Sequence, residues 1–117
     1  MMKTETLFLR GLNREITFYV GTRKAENFDV LDNGEPNDLW FHANEVSSCH
    51  VVARVPPDIA SNQLRYIVKA GALLCKRHTP NIKCVDNVEI LYTRVKHVTK
   101  TRHIGCVTIA ERQTIRI

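Results

Sequence analysis

With 117 residues, 44% hydrophobic and 25% charged, the chain has the length of one domain and the balance of an ordinary globular protein. It has neither a disordered chain's polarity nor an apolar run near the roughly 20 residues a membrane-spanning helix needs. The formal net charge of +5 points toward polyanions, and its distribution says more: residues 1 to 60 are near balance, whereas from Lys76 onward Lys and Arg face only Asp86, Glu89 and Glu111.

Thr6 to Arg10 and Ile16 to Val20 are short apolar runs around Gly11-Leu12-Asn13-Arg14, which predicts an opening β-hairpin. From Gly21 to Asn37 turn residues are dense, Asp32-Asn33-Gly34 and Pro36 among them, and an ordered loop with room for one helical turn is expected. Asp38 to Ala43 and His50 to Val55 read as antiparallel neighbours. Alternation sends Asp38, Trp40 and His42 to one side and Leu39, Phe41 and Ala43 to the other, while His50, Val52 and Arg54 oppose Val51, Ala53 and Val55.

Pro56-Pro57-Asp58 stops the sheet and starts a helix, with Asp58 or Ser61 as N-cap and an end near Lys76. Ala60, Leu64, Ile67, Val68, Gly71, Leu74 and Cys75 share one helical face, and Arg65, Lys69 and Lys76 form a basic ridge opposite. Gly71 costs about 1 kcal/mol against Ala in mid-helix, so close approach to the sheet is expected there. Val88 to Thr93 is a strand that Arg94 to Val98 continues, and Cys106 to Ala110 pairs with Thr114 to Ile117 across Glu111-Arg112-Gln113. The expected fold class is α+β, a mostly antiparallel β-sheet covered on one face by a single long α-helix, with residues 1–117 as one domain.

Four chemistries compete for the polar residues. A metal site is disfavoured by spacing, since no paired Cys or His motif occurs and the adjacent Cys49 and His50 point to opposite faces of a strand. Cys49, Cys75, Cys84 and Cys106 lie far apart behind a start without an apolar signal core, so free thiols in the cytosol or nucleus are expected. A nucleophile among Ser47, Ser48 and Cys49 near His42, His50 and Asp38 has suitable residue types, but no Gly-rich elbow supplies an oxyanion hole.

Arg94, Lys96, His97, Lys100, Arg102 and His103 form an acid-free basic segment suited to phosphates; its plainer reading is a solvated loop. Trp40, His42, His50 and Arg54 share a face on which unpaired bases could stack, although Trp40 could equally be core.

Asp38-Leu39-Trp40-Phe41-His42 followed by Ser47-Ser48-Cys49-His50-Val51 resembles the signature of the NFACT-R domain family. Gly21, Glu26-Asn27 and Leu31 resemble its upstream elements, and Ala70 to Cys75 its small-residue helix. Asn87-Val88 through Tyr92-Thr93, then Lys96, Val98, Lys100 and Gly105-Cys106-Val107, resemble its closing pattern. The likeness spans about Ile16 to Ile117 in unbroken order. Within the family, Glu26-Asn27, Gly34, Pro36, Asp38 and Ser47-Ser48 look closest to a small eukaryotic coiled-coil group; larger relatives are ribosome quality-control factors.

The resemblance implies binding of RNA, transfer or ribosomal, with no catalytic centre assigned to the module; no cofactor is expected. Where the family's turn has two adjacent lysines, this chain has Lys100 with Arg102 nearby. The expected site is therefore the Arg94 to His103 segment (Arg94, Lys96, Lys100, Arg102, His103) with the ridge of Arg65, Lys69 and Lys76, and with Trp40, His42, His50 and Arg54 stacking bases or shaping the site. DNA binding, or docking on a ribosomal or quality-control protein through an exposed sheet edge, are the alternatives.

Overall fold

A computed structural model describes residues 2–117. The opening hairpin forms from β1 (Lys3–Leu9) and β2 (Arg14–Gly21), longer at both ends than the apolar runs alone suggest. β3 (Leu39–Ala43) and β4 (His50–Ala53) are antiparallel neighbours in the expected pairing, Trp40 lying opposite Val52. β5 (Glu89–Arg94) flanks β3, and β8 (Gln113–Arg116) closes the far side, giving a six-stranded sheet in the order β1-β2-β4-β3-β5-β8 with every neighbouring pair antiparallel.

One face of this sheet carries Phe18, Val20, Phe41, Val51, Ala53 and Ile90, and all are buried under the long helix α2 (Leu64–Arg77). At Gly71 the helix lies so close that a Cβ would stand 2.3 Å from Cε1 and Cζ of Phe41. A methyl group there has no room, which accounts for glycine in a position that otherwise disfavours it.

Three expectations change. α2 begins at Leu64 and not at Pro56-Pro57-Asp58, with Gln63 at the N-cap. Asp58 pairs instead with Arg14 at 3.0 Å, and residues 56–63 form successive turns closed by Ile59 N–H to Pro56 O and Gln63 N–H to Ala60 O. The polar stretch after Gly21 holds a second helix, α1 (Lys24–Asp32), which buries Val30 and Leu31 against the opposite face of the sheet beside Trp40 and Val52. The sheet is thus covered on both faces.

The expected C-terminal hairpin does not form. Arg94 does not lead directly into a longer strand; a 3-10 turn (Val95–His97) redirects the chain into β6 (Val98–Lys100). β6 pairs with β7 (Val107–Ile109) as a separate two-stranded ribbon, while β8 pairs with β5. The reason is packing: Val98, Val107 and Ile109 pack on the Trp40 side, whereas Ile115 lies opposite Ile90 and joins the α2 side. Residues 110–112 therefore carry the chain from one layer to the other.

Candidate nucleic-acid interface

Trp40, His42, His50 and Val52 project from the face opposite α2, as alternation requires. α1 and the β6–β7 ribbon cover Trp40 and Val52 but leave His42 half-buried beside the buried His50. The uncovered end of the sheet is a cleft of about 540 Å³, bounded by Lys24 and Asn27 of α1, the β3–β4 loop, the β6–β7 turn and Arg112. Gly105 lets that turn approach α1: its φ is +80° and a Cβ would stand 2.9 Å from Cα of Lys24, a conformation and a contact that both favour glycine.

The rings beneath the cleft are tightly organised. Trp40 and His42 are parallel, with centroids 5.6 Å apart, and His50 meets both edge-on at 5.2 and 4.8 Å. The indole Nε1–H of Trp40 donates to Nδ1 of His50 over 3.3 Å, which leaves the imidazole proton on Nε2. Burial, with His42 as a lesser cause, pushes the His50 pKa down to about 3, and burial also lowers that of His42 against an opposing hydrogen bond at Ala43. Near neutral pH both rings are uncharged. The cleft floor is an aromatic surface and not a cationic one.

A second cleft of about 570 Å³ adjoins the first and shares Lys24, Asn27, Ser47 and Ser48 with it. Its rim holds Lys3, Arg77 and Lys83, which with Lys24 and Arg112 make five exposed cations along the joined trough. Among the described residues none of the five is ion-paired. At the seam, Asn27 is only 7% exposed and its Oδ1 has no hydrogen-bond partner. Ser48 shapes the adjoining loop: its Oγ accepts from Ala43 N–H and donates to Cys49 O, both at 2.9 Å.

Cys49 lies under that loop with its thiol turned toward Cys75 and Thr79, on the side of the sheet away from His50. Thiol and imidazole are therefore separated by the backbone of β4. Among the described residues no three His, Cys, Asp or Glu side chains converge as a metal site would require.

The residues expected from the sequence to share a surface are divided by the sheet. Arg65 and Lys69 are exposed on α2, Arg65 lying over the Tyr66 ring, while Lys76 donates to Ile117 O. The segment is itself split: Arg94 is in phase with Ile90 and Tyr92 on the α2 side of β5 and borders a cleft with Leu64, whereas Lys100 pairs with Asp32 of α1 on the Trp40 side, so ridge and segment do not form one continuous track. The segment is acid-free only in sequence: Asp32 of α1 pairs with Lys100, which also lies over Phe28, and Glu111 pairs with His97. Arg94 donates to Asn37 O at the opposite end of the sheet, where Lys96 is exposed.

Arg54 is held internally, by Asp38 at 3.1 Å, by Asn33 O at 2.7 Å and over the ring of Tyr19. Asp38 is buried as its place mid-sheet suggests, and accepts from Glu35 N–H and Val55 N–H, both at 2.8 Å. Trp40 is 1% exposed and His50 3%, so His42 is the half-buried member of the trio at the cleft. Arg102 and His103 are exposed on the β6–β7 turn beside the cleft-lining Ile104.

Sequence reading missed Lys3, Lys24, Asn27, Arg77, Lys83 and Arg112. They are dispersed from β1 to the link before β8 and form no local run. The available signal was Glu26-Asn27, which resembles a family element; in the structure the Glu26 carboxylate accepts from Thr22 N–H at 3.0 Å beside the start of α1.

Comparison with known proteins places these features in a family context. The family model described as NFACT protein RNA binding domain matches residues 7–110. Coiled-coil domain-containing protein 25 of Danio rerio is 29% identical over 104 residues, covering 86% of this chain and 50% of that protein. Its counterpart in Mus musculus is 34% identical over 94 residues, 73% of this chain and 41% of the relative. The chain thus spans about half the length or less of these curated relatives. Among solved structures, the C-terminal part of the fibronectin/fibrinogen-binding protein from Streptococcus suis superposes with a TM-score of 0.80 at 20% identity, over all of this chain and 45% of that one, and shares the fold.

Proposed function

The chain belongs to the NFACT protein RNA binding domain family, and from that premise we propose that it is an RNA-binding module whose ligand lays its phosphates along the two joined clefts. The observation that carries the reading is the set of five exposed, unpaired cations on one trough, Lys3, Lys24, Arg77, Lys83 and Arg112. Phosphates need cations that outnumber nearby carboxylates, and among the residues lining the two clefts Glu45 is the only acid against these five. Lys100, Arg54 and Lys76 are engaged within the protein, whereas Arg102 and His103 extend the trough at the turn.

We read the module as a binder without catalysis, a reading supported by the placement of the Cys49 thiol and the imidazoles of His42 and His50 on opposite sides of the sheet. A translational setting, with transfer or ribosomal RNA as ligand and ribosomal or quality-control proteins nearby, extends the same proposal, as does a cytosolic location.

The test is a fluorescence-anisotropy titration of labelled single-stranded RNA at several salt concentrations. Each phosphate contact contributes about 0.7 to the slope of log affinity against log salt, so the five trough cations account for about 3.5 of it. Reversing Lys24 and Lys83 to Glu should weaken binding to many sequences alike and lower the slope by about 1.4, with an unchanged melting temperature. No binding near about 0.1 M salt, or an unchanged slope in the variant, overturns the proposal; capture of a protein partner that survives nuclease would then favour the adaptor.

A further inference from the structure

Cations explain how a strand is held but not why an aromatic cleft lies between them. The first cleft has a floor of neutral rings, walls that include Leu91, Val107 and Ile109, and a rim bearing Ile104 and Val46, which are 62% and 41% exposed on two facing loops. Isolated exposed aliphatics are ordinary, but two that border one aromatic cleft are a recognition feature. Asn27 adds polar capacity at the inner end, since its Oδ1 has no hydrogen-bond partner among the described residues although the residue is more than nine-tenths buried. A buried polar group left without a partner costs about 1 to 3 kcal/mol, a penalty that a ligand's polar edge can remove.

Resting on the RNA-binding reading above, we propose that this cleft is a pocket for one unpaired nucleobase of the bound strand, set over His42 between Val46 and Ile104 with its polar edge toward Asn27. A base is flat, uncharged and edged with donors and acceptors, matching in turn the His42 ring, the aliphatic rim and the unpartnered Oδ1 of Asn27. The placement of charge agrees. Arg112 borders the same cleft, and Lys24 leads into the second cleft with Lys3, Arg77 and Lys83, so the phosphates either side of an inserted base meet cations. A docked peptide side chain would use the aliphatic rim but would have no need of cations on both flanks. A paired base is already stacked and hydrogen-bonded in its duplex, so the pocket selects unpaired RNA.

The experiment compares two labelled strands of equal length and charge, one a short single-stranded RNA and the other the same ribose-phosphate backbone without bases. The natural protein should bind the complete strand roughly ten-fold more tightly, within the range of one base–aromatic stack, with similar salt slopes for both. Ile104→Ser, at an exposed position that leaves folding intact, and His42→Ala should each reduce that preference while leaving affinity for the base-free strand unchanged. Equal affinity for the two strands, or variants that weaken both alike, overturns the pocket while leaving the phosphate trough standing. If neither strand binds, the RNA-binding reading falls and the pocket with it.

Discussion

Lowering the pH from 7 to 5 should destabilise the protein through His50. In the unfolded chain its imidazole has the ordinary value near 6.5, whereas in the folded protein burial, assisted by the charge of His42, holds it at about 3. The unfolded state therefore takes up a proton as pH falls below about 6.5, and the native state does not until near 3. Stability from this group is complete above the unfolded value and is lost as pH falls toward the folded one.

Between pH 7 and 5 the loss comes to about 2 kcal/mol for His50 alone, and His42, shifted the same way by burial, adds to it. In urea, with a slope of about 1 to 3 kcal/mol per molar, the midpoint should drop by roughly 1 M. Trp40, which donates to His50, is the natural fluorescence probe. His50→Asn keeps an acceptor for the indole but does not titrate, and should remove most of the pH dependence. A wild-type midpoint that does not change between these two pH values, or a His50→Asn variant that loses as much stability as the natural protein, would refute the assignment of a neutral, buried imidazole.

Two further outcomes test the packing. Gly71→Ala gains about 1 kcal/mol of helix propensity but sets a methyl 2.3 Å from the Phe41 ring; overpacking of this kind costs typically about 1 to 3 kcal/mol, so a net loss is expected in urea unfolding, and a gain would show that α2 can lift. Arg102→Glu should leave the melting temperature unchanged, whereas Lys100→Glu should lower it slightly by facing Asp32 with a like charge and withdrawing a cation from the Phe28 ring; equal melting temperatures for the two variants would mean that the Lys100 pair contributes nothing.

Much of the main sheet was legible because its strands alternate strictly. The period of two placed Trp40, His42, His50 and Arg54 on one face and Phe41, Val51 and Ala53 on the other, as found. The long helix was legible for the same kind of reason, through its apolar spacing, although its first turn was not: Pro57-Asp58 resembles a helix start, but the Asp58 carboxylate pairs with Arg14 and α2 begins only at Leu64. α1 escaped notice because in Lys24–Asp32 only Val30 and Leu31 are buried apolar residues, too few to print a helical period.

What the sequence determined by itself were the properties carried by neighbours along the chain: strand faces, the α2 stripe, the need for glycine at position 71, and the ordered motifs that mark the family. Tertiary structure alone decided everything that depends on distant segments meeting. Two strand-like runs separated by three residues satisfy a local hairpin rule, yet β7 and β8 part because Val107 and Ile109 bury against Trp40 while Ile115 buries beside Ile90. Charge followed the same logic. An acid-free run in sequence met Asp32 and Glu111 in space, while cations from β1, α1, α2 and two loops, none adjacent in sequence, came to line one trough. Coulomb interactions act on distance through space, and only the packing of α1 and the β6–β7 ribbon over the sheet sets those distances.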